Sequence, residues 1–126
     1  MHIEHVALWT RDLERMRAFY ERHFSATANE RYRSRRRPFE SYFLTFASGA
    51  RLELMTLDGI NESRSERALG YAHLALSVGS REQVDEIVRR LRVEGCAILS
   101  EPRTTGDGYY EAVIADPDGN EIEITA

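Results

Sequence analysis

Two histidines and two glutamates recur at matching places in this sequence. His5 stands in "IEHVALWT" (3–10) and His73 in "YAHLALSV" (71–78), each followed two residues later by an alanine. Glu53 lies in "RLELMTL" (51–57) and Glu123 in "NEIEITA" (120–126). His5 precedes Glu53 by 48 residues and His73 precedes Glu123 by 50. Two imidazoles and two carboxylates suit a borderline divalent cation, and four protein ligands leave two positions of an octahedral shell open. Such a cation would chelate a substrate through adjacent oxygens and stabilise the negative charge that builds there. A carboxylate beside it would move a proton between neighbouring carbons. Taken singly, a strand histidine is ordinarily structural or exposed, and a glutamate in "LEL" is the polar side of an alternating strand. The quartet at equivalent positions is what points to a metal.

These residues need elements that bring them together. Side chains alternate between the faces of a strand. In the first strand Val6 and Leu8 share one face, while His5, Ala7 and Trp9 share the other. In the second histidine strand Leu74, Leu76 and Val78 oppose His73, Ala75 and Ser77. Glu53 opposes Leu52 and Leu54, and Glu123 opposes Ile122 and Ile124. Each half therefore supplies one His and one Glu, from its first and last strands, on the face away from its helix.

The helices follow the histidine strands. Leu13, Met16, Phe19 or Tyr20, and Phe24 recur at helical spacing over 11–24, with Thr10 or Asp12 as cap. Val84, Ile87, Val88 and Leu91 form the second stripe, with capping-box spacing at Ser80 and Gln83 and a stop at Gly95. Three further strands are expected in each half: "ATANERY", "ESYFLTF" and "RLELMTL", then "CAILSE", "YYEAVIA" and "NEIEITA". "SGA" (48–50) and "DPDG" (116–119) read as turns before the last strand of each half. The order is β-α-β-β-β, twice. The expected organisation is one domain, 1–126, of two modules at about 1–57 and 71–126, joined by a polar connector at 58–70. Each half is marginal in size for a core of its own.

Composition narrows the function. Seventeen Lys and Arg against 21 Asp and Glu give a formal net charge of −4, which argues against a general nucleic-acid binder. No apolar run approaches a membrane span, and "MHIEHVAL" lacks the features of a signal peptide. The single Cys96 fits a reducing cytoplasm, where the protein is expected, and reads as a buried, inert thiol. "RYRSRRR" (31–37) holds five arginines, read first as a solvated strand end and loop and second as an anion clamp. Tyr42, Phe46, Tyr109 and Tyr110 are open as lining residues, and His2 and His23 read as surface or helix-end residues.

"IEHVALWTRDLERMRAFY", "RLEL", "YAHLALSV" and "DPDGNEIEI" resemble the vicinal oxygen chelate superfamily of glyoxalases, bleomycin-resistance proteins and extradiol dioxygenases. The resemblance spans nearly the whole chain and is most specific in "DPDGNEIEI" and in the His strand before each helix. It implies an α+β fold of two βαβββ modules, whose curled mixed sheets form a metal-holding cavity. The four-ligand pattern is most similar to bacterial glyoxalase I (lactoylglutathione lyase). By that resemblance His5, Glu53, His73 and Glu123 hold a divalent ion (Ni, Zn, Co, Mn or Fe), and Glu123, or its near-symmetric partner Glu53, is the catalytic base. The activity implied is that of a metal-dependent lyase or isomerase. Its substrate would carry vicinal oxygens, as a 2-oxoaldehyde hemithioacetal does, and the proton would move through an enediolate. The resemblance also implies a homodimer in which His5 and Glu53 of one chain meet His73 and Glu123 of the other.

Two positions depart from that pattern. Trp9 stands where bacterial glyoxalase I has an Arg, and Leu57 where it has an Asn; in that family both groups hold glutathione. Trp9 and Leu57 are expected to bind substrate through a less polar contact, with glutathione used poorly. The alternatives within the superfamily are an iron dioxygenase, a thiol transferase to an antibiotic, an epimerase, and a metal-free drug-binding resistance protein. Dioxygenases need one carboxylate ligand, so Glu53 speaks against that reading. Drug-binding members do not need the quartet.

Overall fold

The structure, a computed structural model, describes residues 1–60 and 69–126. Most of the connector expected at 58–70 therefore lies outside the described residues. The chain divides into two compact units, Met1–Glu66 and Arg67–Ala126. The fold is α+β with two mixed sheets.

In the first unit, β1 (His5–Trp9) leads into α1 (Leu13–Phe24), followed by β2 (Thr27–Ala28), β3 (Tyr32–Arg33), β4 (Phe39–Thr45) and β5 (Arg51–Leu57). The sheet order is β1-β5-β4-β2, with β3 also paired to β4. The second unit has β6 (His73–Ser77), α2 (Arg81–Val93), β7 (Ile98–Thr104), β8 (Tyr110–Ala115) and β9 (Glu121–Thr125), in sheet order β6-β9-β8-β7. In both sheets the first strand runs parallel to the last, and the other pairs are antiparallel.

Local chemistry sets these elements. The Asp12 carboxylate caps α1 by accepting the Arg15 N–H at 3.0 Å, while Thr10 Oγ1 accepts the Asp12 N–H at 3.0 Å. Ser80 Oγ caps α2 at the Gln83 N–H, 3.3 Å away. Gly95, at φ +79°, ends α2 in the left-handed conformation that glycine adopts without a Cβ penalty. No described helix is long and apolar enough to cross a membrane.

The helices cover one face of each sheet. Helix α1 packs on β2, β4 and β5, and α2 on β7, β8 and β9. Leu13, Met16 and Tyr20 of α1 are buried, as are Leu44, Leu52 and Leu54 of the first sheet; Val84, Val88 and Leu91 of α2 are buried, as are Ile114, Ile122 and Ile124 of the second. Each such aliphatic side chain contributes about 1.5–3 kcal/mol. A one-residue slip of β5 or β9 would exchange two of them for a glutamate, so this burial fixes which face Glu53 and Glu123 take.

Several expectations change. The strand expected at 26–32 is two short strands. Asn29 interrupts it, its N–H donating to Phe43 O at 3.0 Å while its Oδ1 accepts the Phe43 N–H at 2.7 Å. His23, read as a surface or helix-end residue, does lie in the last turn of α1 but is buried, with its ring 4.9 Å from that of Phe19. Cys96 is half-buried rather than buried.

Candidate metal centre

Each unit brings its own histidine and glutamate together. Ala7 is the register partner of Glu53, and Ala75 that of Glu123. Register partners on paired strands point to the same face, so each glutamate lies beside an alanine methyl and reaches the imidazole one alternation away. His5 Nε2 is 3.9 Å from Glu53 Oε2, and His73 Nε2 is 3.5 Å from Glu123 Oε2. The histidine side chains are 40% and 44% exposed against 14% and 19% for the glutamates. Each pair therefore has a sheltered carboxylate and an open imidazole.

Both gaps are long for a hydrogen bond. Two donors bound to one ion at about 2.0–2.2 Å lie about 3–3.5 Å apart. The pairs have the donor types and nearly the spacing of two ligands on one cation. Among the described residues no group of three or more His, Cys, Asp or Glu is placed to hold a metal ion, and each unit brings together two donors, one His and one Glu.

The outer contacts of the two pairs differ. His5 Nδ1 donates to the Glu4 carboxylate, which leaves Nε2 as the nitrogen turned toward Glu53. A carboxylate on the far nitrogen orients a metal-ligating histidine and raises its basicity. Arg51 Nε donates to Glu4 at 2.8 Å, and its guanidinium lies 4.2 Å from the Phe43 ring centroid. Phe43 in turn meets the His5 ring edge-on at 5.3 Å. In the second unit Ala72 and Glu121 take the places of Glu4 and Arg51. There Arg103 pairs with Glu111 at 3.4 Å, and Glu111 and Glu123 occupy the same sheet face. Burial holds the Glu123 carboxyl above the usual carboxylate range, and the neighbouring Glu111 charge raises it further.

The other candidates separate cleanly. Trp9 (47% exposed) shares the face of His5, and Leu57 that of Glu53. Tyr42 and Tyr110 point to the helices instead, donating to Glu14 at 2.6 Å and to Asp85 at 2.7 Å. Tyr109 is exposed just before β8, and Phe46 is half-buried just beyond β4. Arg31 and Arg33 pair with Glu40, and Arg31 also with Glu14, so the arginine run is partly neutralised. Glu4, Arg51, Phe39, Phe43 and Glu111 were not singled out from sequence. Parity alone would have put Glu111 on the Glu123 face once the β8–β9 register was known.

The family model described as "Glyoxalase/Bleomycin resistance protein/Dioxygenase superfamily" matches residues 2–124. A protein of Bacillus subtilis (strain 168), YqjT, is 34% identical over 61 residues, which span 46% of this chain and 48% of that one. A glyoxylase/bleomycin resistance protein/dioxygenase domain from Frankia sp. EAN1pec superposes with TM-score 0.87 at 22% identity, covering 99% of this chain and 96% of that one. The trypanothione-dependent glyoxalase I of Leishmania major gives TM-score 0.81 at 24% identity, with 99% and 86% covered. Glyoxalase I from Zea mays gives 0.80 at 20%, with 98% and 44% covered. At these identities the likeness to the solved structures is one of fold.

Proposed function

We propose a function from one premise: the chain belongs to the glyoxalase/bleomycin resistance protein/dioxygenase superfamily. It is a metal-dependent lyase or isomerase of glyoxalase I type, acting on a small molecule with vicinal oxygens. The observation that carries this reading is the repeated half-site, a His and a Glu at the same register in both sheets and 3.9 and 3.5 Å apart.

In this reading His5, Glu53, His73 and Glu123 hold a divalent cation of the Ni, Zn, Co, Mn or Fe group. When bound, the cation supplies Lewis acidity toward adjacent substrate oxygens. The chain's carboxylates move the proton. For a hemithioacetal of a 2-oxoaldehyde, Glu123 takes the proton from the carbon bearing sulfur and returns it to the neighbouring carbonyl carbon. The product is the isomeric 2-hydroxyacyl thioester, with no atom gained or lost. Glu53 is the near-symmetric partner for the same transfer. Glu4 fixes the His5 ring, and Trp9 and Leu57 contact the substrate. Two half-sites make a full ligand set when chains pair as a homodimer, His5 and Glu53 of one chain meeting His73 and Glu123 of the other. The cytoplasm is the compartment that suits this chemistry and the single thiol.

The test is metal content of the purified protein and of His5→Ala and His73→Ala, followed by a screen of hemithioacetals of several thiols. Bound metal near one ion per chain, lost in both variants with the fold intact, supports the ligand set. Unchanged metal affinity in either variant removes it.

A further inference from the structure

The sheet face that carries His5 and Glu53 continues into an aromatic patch that the proton-transfer chemistry does not use. Phe39 is its floor, 8% exposed. Trp9 and Tyr32 stand against it, their rings 6.2 Å from that of Phe39 at 86° and 61°. Both are open to solvent, at 47% and 55% exposure. Leu57 is the register partner of Phe39, and Met55 that of Trp9, so both lie on the same face. The Arg37 guanidinium sits 4.5 Å from the Phe39 ring centroid. Unlike Arg31 and Arg33, which are paired with Glu14 or Glu40, Arg37 has no carboxylate within ion-pair distance among the described residues.

We infer that Trp9, Tyr32, Phe39, Met55, Leu57 and Arg37 form a subsite for an aromatic substrate group that carries a negative charge. Edge-on rings around a buried phenyl present faces for a further ring. Arg37 supplies a cation on the same ring surface with its charge unmatched, and a carboxylate is the group its planar fork holds best. Position sets the length of the ligand. Trp9 lies two residues beyond Ala7, the partner of Glu53, which is about 7 Å along the strand. A substrate with its reacting oxygens at His5 and Glu53 would reach the patch with a ring two or three bonds away. That alignment rests on the proposed metal site; the patch itself does not.

Trp9 is the sole tryptophan, so its emission reports on the patch directly. The experiment titrates the EDTA-treated protein with 3-phenylpropionate, its neutral amide 3-phenylpropanamide, and butyrate. The expected result is a saturable change in Trp9 emission with 3-phenylpropionate, with the amide and butyrate each about ten-fold weaker, the size of one charge-assisted or one apolar contact. Arg37→Gln should abolish the preference for acid over amide, and Leu57→Asn should weaken acid and amide together, both with an unchanged circular dichroism spectrum. No saturable response to 3-phenylpropionate, or an acid preference that survives in Arg37→Gln, overturns the subsite. A chain that binds the probe but takes up no metal leaves the subsite standing and removes the metal reading alone; the reverse outcome does the opposite.

Discussion

Ala7 stands across the parallel β1–β5 pair from Glu53, whose carboxylate comes within 3.9 Å of His5 Nε2. Ala75 holds the same relation to Glu123 in the second sheet. Ala7 and Ala75 are both exposed, so a larger residue there would not disturb either core. Ala7→Leu should displace the carboxylate while leaving the fold stable. We expect metal affinity to fall about 10–100-fold, the usual cost of disturbing groups that support metal ligands. Competition with a chelator of known affinity measures it, and an unchanged constant would remove Glu53 from the ligand set.

Glu4→Gln tests the outer contact on one side only. It removes the carboxylate from His5 Nδ1 and the anchor of Arg51. Ala72 stands at the corresponding place before His73, so the second half-site has no such carboxylate to lose. Metal affinity should fall by about ten-fold or more. The same titration as for Ala7→Leu decides, and loss of helical signal would instead mark a folding defect.

Subunit exchange tests the shared site. His5→Ala and Glu123→Ala chains should each be inactive as homodimers. In a mixed dimer of the proposed arrangement, one site carries both defects and the other carries none. Activity should reappear on mixing, toward half that of the unaltered protein in the mixed species. Confirmed mixed dimers without recovery would place the four ligands within one chain.

Much of this was legible in the sequence because the repeat is also a register. Alternation placed His5 and Glu53 opposite Val6, Leu52 and Leu54, and burial of those leucines enforces it. The shell around His5 was not legible. Glu4, Arg51 and Phe43 have no counterparts of their type in the second half, and they meet only through the β1–β5 and β4–β5 pairings. The same register puts Phe43 on the site face and turns Tyr42, its neighbour in sequence, toward Glu14 on α1. His23 was readable in principle, since it continues the spacing of Met16 and Phe19 or Tyr20. Its lack of a partner in the repeat put it at the surface or helix end, but its place on the apolar stripe decided its burial.

The Tyr42–Glu14 contact carries a pH prediction. Tyr42 donates to Glu14 at 2.6 Å, and Arg17 donates to the same carboxylate at 2.8 Å. These bonds, Tyr42 first, hold the Glu14 carboxyl below the usual range. A depressed folded pKa means stability that is present above the unfolded pKa and lost as pH falls through the folded one. Glu14 is about half exposed, so solvent screening limits the contribution to about 1 kcal/mol or less. Urea unfolding of Tyr42→Phe should show that loss at pH 7 and a smaller one below the folded pKa. A difference that grows on acidification would reverse the assignment.

The last prediction concerns the thiol. Trp9 and Leu57 stand where the glutathione-using pattern has an arginine and an asparagine, and neither can supply the charge-assisted or amide hydrogen bonds those groups give. Each bond lost to a charged partner weakens binding by about 1.5–3 kcal/mol. Arg37 lies at the same end of the sheet, against Phe39. It offers one cation to an aromatic surface, where a glutathione-sized peptide needs several polar partners. The metal-loaded protein should therefore turn over methylglyoxal and glutathione with kcat/KM well below the upper enzyme range. A hemithioacetal built on a thiol bearing an aromatic carboxylate should be the better substrate. Steady-state assays on the same preparation compare the two. A glutathione value of about 10⁷ M⁻¹s⁻¹ or above would sink the prediction and make Trp9 and Leu57 bystanders to thiol recognition.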